Sequence, residues 1–194
     1  VRPQPPEGTR DSPVSPERVR LAIVGVGHLG RHHVRVAASL PDFELVGIHD
    51  HHDGRADEVA REAGLRVLAG PDAVAREAQA VVIATPTTSH AELCRFFMER
   101  GLDVLVEKPI AGSLAEADAI VRLARSKERV LQVGHVERFE HCGAPSAAGH
   151  ERDVADAGLE RALERLLLAG AVRGDDERGV AGLRLRVDRD VVAG

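Results

Sequence analysis

Gly25-Val26-Gly27-His28-Leu29-Gly30 is the first stretch of the chain whose residue types and spacing serve chemistry. A run of apolar residues over Arg20–Gly25 leads directly into it, and a helical pattern follows. Three glycines at this spacing between a strand and a helix form a turn that cradles a pyrophosphate. Gly25 makes the tight bend, Gly27 lets the backbone approach the phosphates, and Gly30 lets helix and strand close together. Free amides around His28 and Leu29, with the helix dipole, favour the negative charge. Asp50 ends the second predicted strand, 20 residues after Gly30. An acidic side chain there accepts hydrogen bonds from a ribose diol, as in NAD sites. Its charge repels a 2′-phosphate, whereas His51, His52 and Arg55 would attract one, and the balance favours NAD over NADP.

Two later segments supply the other end of a site. One is Ala84-Thr85-Pro86-Thr87-Thr88-Ser89-His90, and the other is Val106-Glu107-Lys108-Pro109. Each follows a short apolar run, so each is expected at the carboxyl edge of a sheet, where such folds bind ligands. Of the 26 basic side chains, only Lys108 and Lys127 are lysines. An arginine keeps its proton near neutral pH, whereas a lysine can exchange one. Lys108 is therefore placed to take a proton from a substrate hydroxyl as hydride leaves for a nicotinamide.

These residues need a scaffold, and the pattern predicts an α/β, doubly wound parallel sheet. Strands are expected at Arg20–Gly25, Glu44–His49, Arg66–Leu68, Ala80–Ala84, Asp103–Val106 and Val130–Val133, apolar on both faces as a helix-covered sheet requires. Helices are expected near Leu29–Leu40, Gly54–Ala63, Asp72–Ala78, Ser89–Arg100 and Leu114–Ser126. Gly64 and Gly101 follow helix ends, while Pro71 and Ser113 stand at helix starts. Six strands alternating with five helices define the expected dinucleotide-binding domain over residues 18–140.

The flanks differ in character. Residues 1–17 hold five prolines and few large apolar side chains, which predicts a disordered leader. Residues 141–194 draw mainly on Ala, Gly, Arg, Val, Asp, Leu and Glu. Only Gly158–Ala169 has a helical apolar pattern, with one short alternating run at Leu183, Leu185 and Val187. The expectation is a weakly structured tail, not a complete substrate domain. GC-rich codons dominate it, which suits a shifted reading frame better than a natural divergent tail.

At −5, the formal net charge offers no electrostatic argument for nucleic acid or an anionic membrane. Apolar runs fall far short of the roughly 20 residues a membrane-spanning helix needs. Two cysteines make no disulfide framework, so the expectation is a cytoplasmic protein with free thiols.

GVGHLG, Asp50, ATPTTSHAE, EKP and QVGHVERF occur in the order seen in the glucose–fructose oxidoreductase and inositol dehydrogenase (Gfo/Idh/MocA) family. The resemblance spans about residues 19–139. It implies that Gly25, Gly27 and Gly30 hold the pyrophosphate and Asp50 the adenine ribose. It assigns Thr85, Pro86 and His90 to the loop on the nicotinamide side, Glu107 to the nicotinamide ribose, and Gln132 to a position near the nicotinamide. Lys108 is similar to the family's catalytic lysine, and a cis peptide is implied before Pro109. Thr87, where the common pattern has Asn, together with GHVERF resembles the branch that oxidises the 3-hydroxyl of UDP-N-acetylglucosamine. The implied substrate is a sugar or nucleotide sugar, with a homo-oligomer if a substrate domain is present. Nothing after Phe139 resembles the family's second domain or its further catalytic Asp/His pair. The competing expectation is therefore a truncated dinucleotide-binding module without catalysis.

Other clusters are weaker. His49–Asp53 and the trio His28, His32 and His33 invite a metal, but neighbouring strand residues point to opposite faces. The expectation is no metal site. Cys94, among Leu93, Phe96 and Phe97, reads as a small core residue.

Overall fold

In the computed structural model of the chain, the residues described are 18–134 and the pair Ala162 and Leu163. Five strands form one sheet: β1 (Val19–Val24), β2 (Phe43–His49), β3 (Ala80–Ile83), β4 (Asp103–Glu107) and β5 (Leu131–Gly134). All neighbouring strands are parallel, in the order β2-β1-β3-β4-β5. The helices are α1 (His28–Ser39), α2 (Asp53–Ala63), α3 (Pro71–Glu77), α4 (His90–Glu99) and α5 (Leu114–Ser126), with a 3-10 turn over Thr87–Ser89. The strand order runs outward in both directions from β1 and β3. That makes the crevice above their carboxyl ends the ligand position of such sheets.

Strand alternation divides the core into two layers. Leu21, Ile23, Ala80, Val82 and Leu105 face Val34 and Ala37 of α1 and Val59 and Ala60 of α2. Ala22, Val24, Val81, Ile83, Val104 and Val106 face Val74 of α3, Cys94, Phe97 and Met98 of α4, and Ile120 and Ala124 of α5. Period-two strands with apolar side chains at every position suit a sheet buried on both sides.

The local signals act as chemistry requires. Gly64 ends α2 in the left-handed region at φ 67°, and Pro71 opens α3. Ser113 Oγ accepts a hydrogen bond from the Glu116 amide at the start of α5.

One expected strand is corrected. Arg66–Leu68 makes only an isolated bridge, Val67 to Ile48. Its backbone hydrogen bonds to β2 are Ile48 N–H to Arg66 O and Leu68 N–H to Ile48 O. The segment has few residues between the Gly64 cap and Pro71, too short a span to pair further. Leu68 nevertheless packs over Gly47, where a Cβ would meet Leu68 Cγ at 2.8 Å.

Ala162 and Leu163 are helical and fully buried within the first core layer. They fall inside the expected helix over Gly158–Ala169. The leader over 1–17, Cys142 and the rest of the tail lie outside the described residues.

Candidate functional site

The glycine turn is wedged between two strand ends. Gly25 donates its N–H to His49 O and has φ 87°. A Cβ there would lie 2.6 Å from Ala84 O, and one on Gly30 would lie 2.0 Å from Gly25 O. Both glycines are therefore required for packing as well as conformation. Gly27 differs: a Cβ on it would meet only Arg55 Nη1, at 3.9 Å. Its outer side is open, and the start of α1 carries no side-chain cap. The first amides of a helix have no intrahelical acceptor, so they remain available to an anion.

Asp50 ties this turn to β2. Its Oδ2 accepts from the Val26 amide and its Oδ1 from the His52 amide, each at 2.9 Å. Arg55 Nη1 stands 3.4 Å from Oδ2, and His51 Nδ1 3.3 Å from Oδ1. Burial raises the carboxyl pKa. The two amides, with Arg55 and His51, outweigh burial and hold it below the usual carboxylate range. The ionised group offers about four acceptor positions. Arg55 and His51 hold it through side chains, 40% and 77% exposed, which can yield their positions to a diol.

An open cleft of about 300 Å³ lies beside this pair, lined by Gly25, Asp50, Thr85, Pro86, Thr88 and Leu93 among others. The structure thus brings Gly25, Asp50 and the Thr85–Pro86 loop to one cavity, while Gly27, His28, Leu29 and Gly30 do not line it. Lys108 and Gln132 do not line it. Lys108 is exposed just beyond the end of β4, and Gln132 lies half-buried on β5, donating to Val133 O. Lys108 stands at the carboxyl edge of the sheet, whereas Gln132 pairs with Leu105 in the middle of β4.

Two residues assigned to the cofactor by resemblance have other work in the structure. His90 is 1% exposed, and its ring bridges Pro109 O and Thr85 O at 2.8 Å each. It braces the loop instead of lining the cleft. Glu107 is also buried: Oε1 lies 2.6 Å from His33 Nε2, and Oε2 accepts from the Lys108 amide at 3.2 Å. The Lys108–Pro109 bond is cis. The partnership of His33 with Glu107 was absent from the sequence reading. The available signal was position, since His33 follows Gly30 by nearly one helical turn and so shares its sheet-facing side. The His28 and His32 rings pack edge to face on the outer side, apart from His33. Among the described residues, no three His, Cys, Asp or Glu are grouped to hold a metal ion. Nor is any helix there long and apolar enough to cross a membrane.

The fold and the glycine turn define a dinucleotide-binding domain. Residues 19–135 match the Gfo/Idh/MocA oxidoreductase family, NAD-binding Rossmann fold, and the chain belongs to that family. It is 38% identical over 120 residues to UDP-N-acetylglucosamine 3-dehydrogenase of Acidithiobacillus ferrooxidans, covering 62% of this chain and 38% of that protein. A solved structure of that dehydrogenase superposes with a TM-score of 0.60, over 62% of this chain and 40% of the other. The scyllo-inositol 2-dehydrogenase (NAD(+)) of Bacillus subtilis is 35% identical over 150 residues, covering 73% of this chain and 41% of that protein. The structure of GenD2 from gentamicin A biosynthesis, in complex with NAD, is 27% identical with a TM-score of 0.61, over 71% and 39% of the two chains. The chain spans about two fifths of the length of these relatives.

Proposed function

We propose that the chain forms the cofactor-binding part of an NAD-dependent dehydrogenase acting on a sugar or nucleotide-sugar hydroxyl. The observation that carries this reading is the open cleft joining Gly25, Asp50 and the Thr85–Pro86 loop, with Lys108 just past the end of β4 at the same sheet edge. Bound there, NAD supplies the acceptor for a hydride from the alcohol carbon. The amides at the start of α1 hold the pyrophosphate, and Gly27 leaves room for it. Asp50 accepts from the adenine ribose diol once Arg55 and His51 swing aside, and its buried charge disfavours a 2′-phosphate. Lys108 takes the hydroxyl proton, so the alcohol can become a carbonyl. By the family resemblance Gln132 would lie toward the nicotinamide.

The relatives' names suggest UDP-N-acetylglucosamine first and an inositol second. NADH fluorescence titration of the full chain tests the binding part, helped by the absence of Trp. NADH formation from NAD with each alcohol tests the chemistry. Binding of NAD in preference to NADP, with turnover on one of these alcohols, is the expected result. Binding without turnover would favour a dinucleotide-binding module, and no binding would overturn the reading altogether.

A further inference from the structure

Lys108 stands between two residues that buried histidines hold from opposite faces of the sheet. On one face, α1 presents His33 to Glu107, the residue before Lys108. On the other, α4 begins with His90, which reaches Pro109 O, on the residue after it. We propose that His33 and His90 are positioning residues for Lys108, each fixing one of its chain neighbours. This inference rests on the reading of Lys108 as the proton-handling group.

Glu107 is placed with little freedom. One carboxylate oxygen takes His33, the other takes the Lys108 amide, and a Cβ on Gly134 would sit 2.9 Å from Oε1. His33 meets this carboxyl group through Nε2. The opposite nitrogen, His33 Nδ1, is buried without a partner. Leaving a buried polar atom unpaired costs free energy, and an apolar side chain would fill the space without that cost. The ring is therefore explained by its bond to Glu107 and not by packing alone.

His90 acts as a crossbar. It spans Thr85 O after β3 and Pro109 O after β4. Carbonyl oxygens only accept, so a singly protonated ring donates to one of them and a doubly protonated ring to both. It thus fixes the spacing between the cleft-lining loop and the loop that carries Lys108. A lysine stem has four rotatable bonds, so its amine can be aimed only if the backbone beneath it is held.

The chain's two lysines make this measurable. Reductive methylation with ¹³C-formaldehyde labels Lys108, Lys127 and the chain's terminal amine, and Lys127, at the end of α5, serves as the internal reference. His33→Asn shortens the reach to Glu107, and His90→Gln replaces the rigid ring that spans the two carbonyls with a flexible amide that does not fix their spacing. In the full chain, each should move the Lys108 methyl signal toward that of free dimethyl-lysine while the Lys127 signal stays in place. His33→Gln keeps an N–H near the Nε2 position and should leave Lys108 at its parent position. Added NAD should shift Lys108 in the parent and in His33→Gln, and less in the other two. The proposal is overturned if Lys108 keeps its parent signal in both His33→Asn and His90→Gln. It is equally overturned if Lys127 moves with Lys108, which marks general loosening, or if His33→Gln displaces Lys108 as His33→Asn does. Should His33→Asn fail to fold, His90→Gln and His33→Gln decide by the same criteria. If NAD leaves the parent Lys108 signal unmoved, the cofactor reading fails, and the cofactor-free spectra still judge the histidines.

Discussion

Gly30→Ala and Gly27→Ala place the same methyl group in two different surroundings. At Gly30 the new carbon would lie 2.0 Å from Gly25 O and 2.8 Å from Gly25 C. Both are backbone atoms of a turn already pressed against Ala84, so neither can turn aside as a side chain would. Overpacking typically costs about 1–3 kcal/mol when neighbours can adjust. Here α1 must move off the strand, and the expected loss is about 3 kcal/mol. With a urea m-value of about 1–3 kcal/mol/M, the midpoint followed by circular dichroism should fall by about 1–3 M. At Gly27 the methyl meets only Arg55 Nη1 at 3.9 Å. Stability there should change by no more than about 0.5 kcal/mol, while NADH affinity should fall by about tenfold, or 1.4 kcal/mol. A Gly30→Ala chain with the parent midpoint would refute the packing argument. A Gly27→Ala chain with the parent NADH affinity would refute the assignment of the phosphate path.

Asp50→Ala should weaken NAD binding by about 1.5–3 kcal/mol, the scale of a hydrogen bond to a charged group, and NADP binding by less; equal losses in the two titrations would exclude Asp50 as the discriminator. Because the folded state holds the Asp50 carboxyl below its unfolded value, its stabilisation is full above the unfolded pKa and is lost as pH falls through the folded one. Acid titration of urea midpoints should therefore show a steeper decline below about pH 4 in the parent than in Asp50→Asn. Lys108→Ala should retain NAD binding yet lower kcat by about 10²–10⁴-fold in a form carrying a complete substrate domain, and Lys108→Arg should not restore it, so near-normal turnover of the Arg variant would reduce Lys108 to a source of charge. The Cys94 thiol is fully buried, and burial pushes it up to about 12; peptide mapping after iodoacetamide at neutral pH should find it alkylated only once the chain unfolds.

The parts of the site legible in the sequence were those that depend on backbone spacing. Gly25, Gly27 and Gly30 declare a turn through the absence of a side chain, and Asp50 is marked by standing at the end of the next strand. The two core layers were equally readable, because Leu21 through Val24 are apolar at every position and a parallel sheet covered on both sides asks for that. What escaped were pairings between distant segments. His33 and Glu107 are separated by 74 positions, and nothing in either neighbourhood announces the other. His90 stood in a loop motif, which suggested a face toward the cofactor; its position as the first residue of α4 turns it inward to two carbonyls instead. The Arg66–Leu68 segment has strand-forming residues, but a strand also needs length, and the α3 proline arrives too soon.

Among the described residues, the first core layer runs from Leu21 to Ala162 and Leu163. During synthesis, all five strands are made before those two side chains exist. Until then Val82 and Leu105 belong to a layer still missing members, and each fully buried leucine contributes about 1.5–3 kcal/mol. Among the described residues, one face of the sheet is thus covered in part by side chains made after every strand, while the cleft is lined entirely by residues made before them.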